Sequence, residues 1–210
     1  LTQHQKDLIH QQVLADNEDA MKKSLTVSLW IDDLPYEKAM DRLAAEPTIN
    51  IEGIYGGYTG PGGKTILPSR AVAKIDCRLV PDQTIEELQA KLKAHLKKHG
   101  FGDIEVNVSG GYDPTQTDEN SALIKSEVAT YKSFGLDPVM NVRLAGSWPG
   151  VVFTGAPVNL PAGQFGMGYG TGAHAPDEFY LVESTNPKIY GMDDATYAYA
   201  QFLYHIAASA

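Results

Sequence analysis

Two stretches that alternate between apolar and polar residues, joined by a loop dense in glycine and proline, constrain the fold of this chain more than any other feature. Residues 48–55 read Thr-Ile-Asn-Ile-Glu-Gly-Ile-Tyr, and residues 71–80 read Ala-Val-Ala-Lys-Ile-Asp-Cys-Arg-Leu-Val. Successive side chains of a strand point to opposite faces, so Ala71, Ala73, Ile75, Cys77 and Leu79 share one face and Arg78 lies on the other. The spacing predicts a β-hairpin with an elaborated loop. Beyond Pro81, Thr84 is a good N-cap with Glu87 three residues on. Ile85, Leu88, Leu92 and Leu96 then recur at helical spacing until Gly100 stops the helix. Asp103 to Ser109 alternates once more and predicts another strand. The order strand, strand, helix, strand matches a split β-α-β unit that lacks its first strand and helix.

On either side of this block the pattern is mostly helical. Residues 3–22 predict one helix, and Pro35 to Ala44 a second with proline in its first turn. The character changes at Gly110-Gly-Tyr-Asp-Pro114, which puts a domain boundary near Thr115 and divides the chain into 1–114 and 115–210. Ser121 to Phe134 and Asp193 to Ala208 predict helices, with short strands between them at 138–142 and 156–160. Such alternation favours an α/β sheet covered by helices.

The charge balance narrows the partners. Seventeen basic against 26 acidic residues give a net charge of −9, which opposes nucleic acid and anionic membrane as targets. No apolar run approaches the roughly 20 residues of a membrane span. The one cysteine, Cys77, excludes an internal disulfide and reads as a small strand residue. A reducing compartment suits it, and the chain is read as cytoplasmic, any export signal lying upstream of Leu1.

The chemistry-bearing segment is Gly168-Tyr-Gly-Thr-Gly-Ala-His174-Ala-Pro-Asp-Glu178-Phe-Tyr. It puts an imidazole in a glycine-rich loop, ahead of the acidic pair Asp177 and Glu178 and an expected apolar helix. Taken alone, His174 reads either as a metal ligand or as a loop histidine that hydrogen-bonds its neighbours. Together with Gly53 to Pro81, in this order, the segment resembles the two-domain zinc metallopeptidases that include carnosine-type dipeptidases, aminoacylase and glutamate carboxypeptidases. The resemblance runs from about Pro47 onward and is strongest to the dipeptidases. It implies an α+β lid domain, here 1–114, followed by the closing part of an α/β catalytic domain, here 115–210. It also implies a chain about twice as long, whose N-terminal half carries most metal ligands and the general base. The His-x-Asp motif that the resemblance implies for that half does not occur here, and the one Glu-Glu pair, Glu86-Glu87, opens a helix, so no catalytic residue is assigned and the expected molecule is the C-terminal portion of such an enzyme.

What the resemblance implies for individual residues follows its motifs. His174 would complete the shell of one of two zinc ions that share the attacking water. Arg78 would hold a substrate carboxylate with its planar fork of donors. Thr65, Gly146 and Ser147 match positions that contact substrate or the carbonyl oxygen. Leu144-Ala145-Gly146-Ser147 departs from the dipeptidases, which have an acidic residue ahead of this motif. Asp113 stands where they carry a histidine, and reads either as a substrate contact or as a turn residue before proline. The expected substrates are dipeptides or N-acyl amino acids, and the expected partners are the missing catalytic half and a second copy bound through the lid. The rival readings are a non-catalytic dimerisation or binding module and an N-acyl amino-acid deacylase.

Three weaker patterns are set aside. His95 and His99 are four apart on a helix, but Lys93, Lys97 and Lys98 surround them. Ser147 lacks the nucleophile-elbow glycines. Gly63-Lys64-Thr65 has Tyr58 where a phosphate loop needs its first glycine.

Overall fold

Antiparallel pairing of β1 (Thr48–Gly56) with β2 (Ala71–Arg78) forms the hairpin that the alternation predicts. The structure is a computed structural model and describes residues 1–144 and 146–209. Strict alternation would set Ile54 on the face opposite Ile49 and Ile51. The register instead steps from Ile51 opposite Ile75 to Gly53 opposite Lys74, so Glu52 is an extra residue in a β-bulge. Ile54 returns opposite Ala73, and Ile49, Ile51, Ile54, Ala73, Ile75 and Cys77 gather on one face. Lys74, Asp76 and Arg78 occupy the other. The β2 side of this face is the one its alternation predicts, whereas Ile54 joins it only through the bulge; the face is uncovered, with Ile49, Ile51 and Ile54 65 %, 63 % and 72 % exposed.

Two units divide the chain. The first comprises Leu1–Pro114 with Met140–Pro149, and the second Thr115–Val139 with Gly150–Ala210. In the first, the helix expected over 3–22 is two helices, α1 (Gln3–Ala15) and α2 (Glu18–Leu25). Asn17 between them is extended, and its side chain accepts from the Ala20 N–H at 2.9 Å. An Asx cap offers the backbone an alternative to continuing the helix, and here the alternative prevails. A 3-10 turn (Ile31–Asp33) then leads to α3 (Tyr36–Ala45), with Pro35 as its N-cap rather than inside its first turn. Ile9 of α1 is buried together with Tyr36, Ala39 and Ala44 of α3. The Tyr36 hydroxyl donates to Asp16 at 2.6 Å, and burial with that carboxylate raises its pKa well above the ordinary value.

Helix α4 (Ile85–Lys98) starts as its sequence requires, with Thr84 Oγ1 accepting from the Glu87 N–H at 3.2 Å. Its stripe of Ile85, Leu88, Leu92 and Leu96 is half-buried, and Gly100 follows at φ +86°. The strand expected over 103–109 does not form. Alternation specifies which residues share a face but supplies no edge to pair with, and β1 pairs only with β2 among the described residues.

In the second unit, α5 (Ala122–Ser133) packs on α7 (Met192–Ala208). Small residues make the close approach possible: Ser126 and Thr130 of α5 and Ala195 and Ala198 of α7 are buried. Thr130 Oγ1 donates to the Ser126 carbonyl at 2.7 Å and lies 2.9 Å from His205 Nδ1. Around this contact, Phe165 meets Tyr131, Tyr199 and Phe202 at ring separations of 5.0–5.3 Å, within the range of favourable aromatic pairs. A single helical turn, α6 (Val151–Thr154), precedes residues 156–160. Neither those residues nor 138–142 pair as the strands expected of them, and Pro157 removes a donor from the first. The regular strands here are β3 (Gly170–Thr171) and β4 (Phe179–Tyr180), so Phe179 and Tyr180 form a strand rather than the expected helix. The fold is α+β, with small sheets among dominant helices. No helix among the described residues is long and apolar enough to cross a membrane.

Glu127 of α5 is buried with its carboxyl beside Gly163, and desolvation raises its pKa from 4.5 to about 7. The folded chain therefore holds a proton there that the unfolded chain releases once pH exceeds about 4.5. This stabilising contribution is present in acid and lost as pH rises toward about 7. Glu127→Gln, which keeps the shape without the charge, is expected to raise the melting temperature at pH 8 and leave it unchanged near pH 4. A difference that does not vary with pH would put the carboxyl in contact with water.

Candidate metal and substrate site

A short hairpin presents His174. Gly170 pairs with Tyr180 and Thr171 with Phe179, and the Leu181 N–H extends the ladder to the Tyr169 carbonyl at 2.8 Å. Residues 172–178 form the connecting loop. Gly172 sits at φ +74°, where an added Cβ would come within 3.2 Å of the Asp177 carbonyl, so glycine is needed for both conformation and space. The Ala175 N–H closes a turn onto the Gly172 carbonyl at 2.8 Å, and the Glu178 N–H onto the Ala175 carbonyl at 3.2 Å. At the tip, His174 is left-handed at φ +66°, a conformation that costs a non-glycine residue about 1–2 kcal/mol. Its backbone N–H donates to Glu178 Oε2 at 3.1 Å.

Whether these residues suit a metal can be judged from the donor. The imidazole of His174 is exposed, and neither ring nitrogen is hydrogen-bonded among the described residues, which fits one ligand of a zinc site. No group of three or more His, Cys, Asp and Glu able to hold a metal occurs among the described residues. Among the described residues, His174 therefore stands outside any such cluster. His95 and His99 do lie together, with ring centroids 4.4 Å apart and planes tilted by 41°, but among the described residues no acidic or thiol side chain completes a site with them.

The other sequence-derived residues lie in the first unit. Arg78 is on the polar face at the end of β2, and its Nε donates to Asp76 Oδ2 at 2.6 Å. Residues two apart on a strand share a face, so this pair was legible in Asp76-Cys77-Arg78, although the sequence reading left it out. Asp76 thus occupies the Nε edge of the guanidinium. Thr65 lies in the loop between β1 and β2, which leaves the ladder at Gly56 and returns at Ala71. Seven strand steps of about 3.3 Å put the base of that loop roughly 23 Å from Arg78. Within the loop, Tyr58 donates to the Pro61 carbonyl at 3.1 Å and Lys64 lies over the Tyr58 ring at 5.0 Å. The ladder thus sets Arg78 and the base of the Thr65 loop at opposite ends of the hairpin.

Ser147 and Asp113 are brought together through Tyr112, a residue that sequence reasoning missed. The Tyr112 hydroxyl makes a short hydrogen bond with Ser147 Oγ. Ser147 therefore pairs with a phenol rather than a histidine, in keeping with the absence of a nucleophile elbow. Gly146 beside it has open space where a Cβ would stand. Asp113 Oδ1 accepts from the Ile85 N–H at 2.8 Å, so its carboxylate satisfies a donor at the start of α4. Tyr112 and Asp113 line a shallow open depression with Thr84, Ile85, Glu86 and Gln89.

Residues 9–103 match the peptidase dimerisation domain of the M20 family. The Beta-Ala-His dipeptidase of Rattus norvegicus is 27 % identical over 146 residues, which cover 67 % of this chain and 29 % of that protein. An M20 family metallo-carboxypeptidase from Sulfolobus solfataricus superposes with a TM-score of 0.77 at 30 % identity, over all of this chain and 45 % of that one. Human carnosine dipeptidase 1 shares the fold at a TM-score of 0.67 and 17 % identity, over 99 % of this chain and 43 % of that one. The chain thus spans less than half the length of each.

Asp113→Ala is expected to lose about 1 kcal/mol of stability in denaturant unfolding, the typical loss of a helix N-terminal acceptor, while Asp113→Asn keeps most of it. Equal stability of all three would free the carboxylate for a role in recognition.

Proposed function

This chain belongs to the M20 metallopeptidases, on the dipeptidase side of the family, and we propose that it supplies a lid domain and one metal ligand to a zinc-dependent enzyme that hydrolyses dipeptides or N-acyl amino acids. The observation that carries the reading is the exposed imidazole of His174 at the tip of a turned loop in a chain of this family. When bound, the zinc pair supplies Lewis-acid polarisation of the amide carbonyl and a water that is nucleophilic at neutral pH.

The chain's own residues bind and orient. Arg78, with Asp76 on its Nε edge, offers two parallel N–H donors to a substrate carboxylate. Ser147, held by Tyr112, and the open backbone at Gly146 contribute polar contacts to a substrate wall. Thr65 belongs to the same recognition set in our reading. The separation of its loop base from Arg78 favours a homodimer in which the loop of one protomer serves the site of the other. Association through the lid also accords with the exposed isoleucines of β1, since burying each would contribute roughly 1.5–3 kcal/mol.

The lack of a group of three or more metal-binding side chains among the described residues favours a second reading, a dimerisation or binding module without chemistry of its own. The isolated 210-residue chain is expected to show no hydrolysis under either reading. In the two-domain enzyme that the chain is proposed to complete, His174→Ala is expected to abolish turnover and release zinc, and unaltered turnover would end the ligand assignment. Arg78→Ala is expected to raise KM roughly tenfold or more for substrates with a free carboxylate, with little change for amidated ones. Equal losses on both would make Arg78 structural.

A further inference from the structure

We propose that Glu178 is a positioning residue for His174, acting on its backbone rather than on its ring. This inference rests on the reading of His174 as a metal ligand. The usual way to orient a ligating histidine is a hydrogen bond to its second ring nitrogen. Here the carboxylate oxygen Oε2 of Glu178 accepts from the backbone N–H of His174 at 3.1 Å instead. That N–H belongs to a residue at φ +66°, so the bond holds in place a conformation that a histidine leaves readily when nothing opposes it. Glu178 is well placed for this. It directly precedes Phe179 of β4, whose ladder with β3 fixes one end of the carboxylate's reach. The turns closed by Ala175 onto Gly172 and by Glu178 onto Ala175 fix the other. Removing the acceptor leaves the ladder intact and frees the tip, so the imidazole points in many directions instead of one. Entropy then opposes ligation.

The experiment measures zinc affinity by chelator competition on the two-domain enzyme carrying Glu178→Ala, Glu178→Asp, Glu178→Gln or His174→Ala. Amide exchange at His174 in the metal-free protein is the second readout. Glu178→Ala is expected to weaken zinc binding about 10–100-fold, the range typical of residues that orient a ligand. The same variant is expected to speed exchange of the His174 amide about tenfold, as loss of a hydrogen bond to a charged acceptor would. Glu178→Gln is expected to stay within about threefold of wild type in both, because its amide oxygen accepts the same N–H. Glu178→Asp keeps the charge but withdraws the acceptor by one methylene, and is expected to weaken binding; it stands in for the alanine variant should that fail to fold. If His174→Ala binds zinc less tightly while Glu178→Ala and Glu178→Asp bind it as wild type does, the positioning role is overturned and the ligand reading stands. If His174→Ala binds zinc as tightly as wild type, the ligand reading fails and the positioning role falls with it. Glu178→Gln as impaired as Glu178→Ala would assign the effect to charge and overturn the backbone mechanism.

Discussion

Backbone pairing of β1 with β2, with one extra residue at Glu52, is the constraint on which the placement of Arg78 and of the Thr65 loop depends. Without the bulge, Ile54 would turn to the polar face and break the contiguity of Ile49, Ile51 and Ile75 on the other. With it, one face is uniformly apolar and the opposite face carries Asp76 and Arg78 side by side. A two-stranded ribbon is marginal in water by itself, because it buries little of either face. The exposed isoleucines therefore gain from being covered, which is consistent with the peptidase dimerisation domain matched over residues 9–103.

A similar economy governs the second unit. Small side chains at Ser126, Thr130, Ala195 and Ala198 let α5 and α7 approach closely, and rings from both helices and from Phe165 surround the contact. The same unit carries a two-residue ladder that does little for burial but fixes the loop of His174. Packing and presentation are thus assigned to different elements. Helices supply the rigid body, and the small hairpin positions the imidazole.

Elements specified by local chemistry were legible in the sequence. The capped helix at Thr84, the helices at α5 and α7, and the hairpin around the Gly-Pro loop all carry their signals within a few residues. The strands expected over 103–109, 138–142 and 156–160 were not borne out, because a strand is completed by a neighbour that alternation cannot name. The break at Asn17 was missed for the opposite reason. Its capping signal is local but weak, and it competes with a helical pattern that continues on both sides. In the candidate site, residue identities were readable while their contacts were not. Nothing in the spacing of Tyr112 and Ser147, 35 residues apart, foretells their hydrogen bond. Nor does the sequence reveal that Asp113 answers a helix N-terminus or that Glu178 reaches back to the amide of His174.

The single most direct measurement is the zinc coordination geometry in a crystal of the two-domain enzyme, located by anomalous scattering. A zinc ion about 2.0–2.1 Å from an imidazole nitrogen of His174, the ordinary zinc–nitrogen bond, is the expected result. Zinc bound elsewhere, with the His174 ring turned away and outside bonding distance, would contradict the central claim and leave the chain a lid without a share in the metal centre.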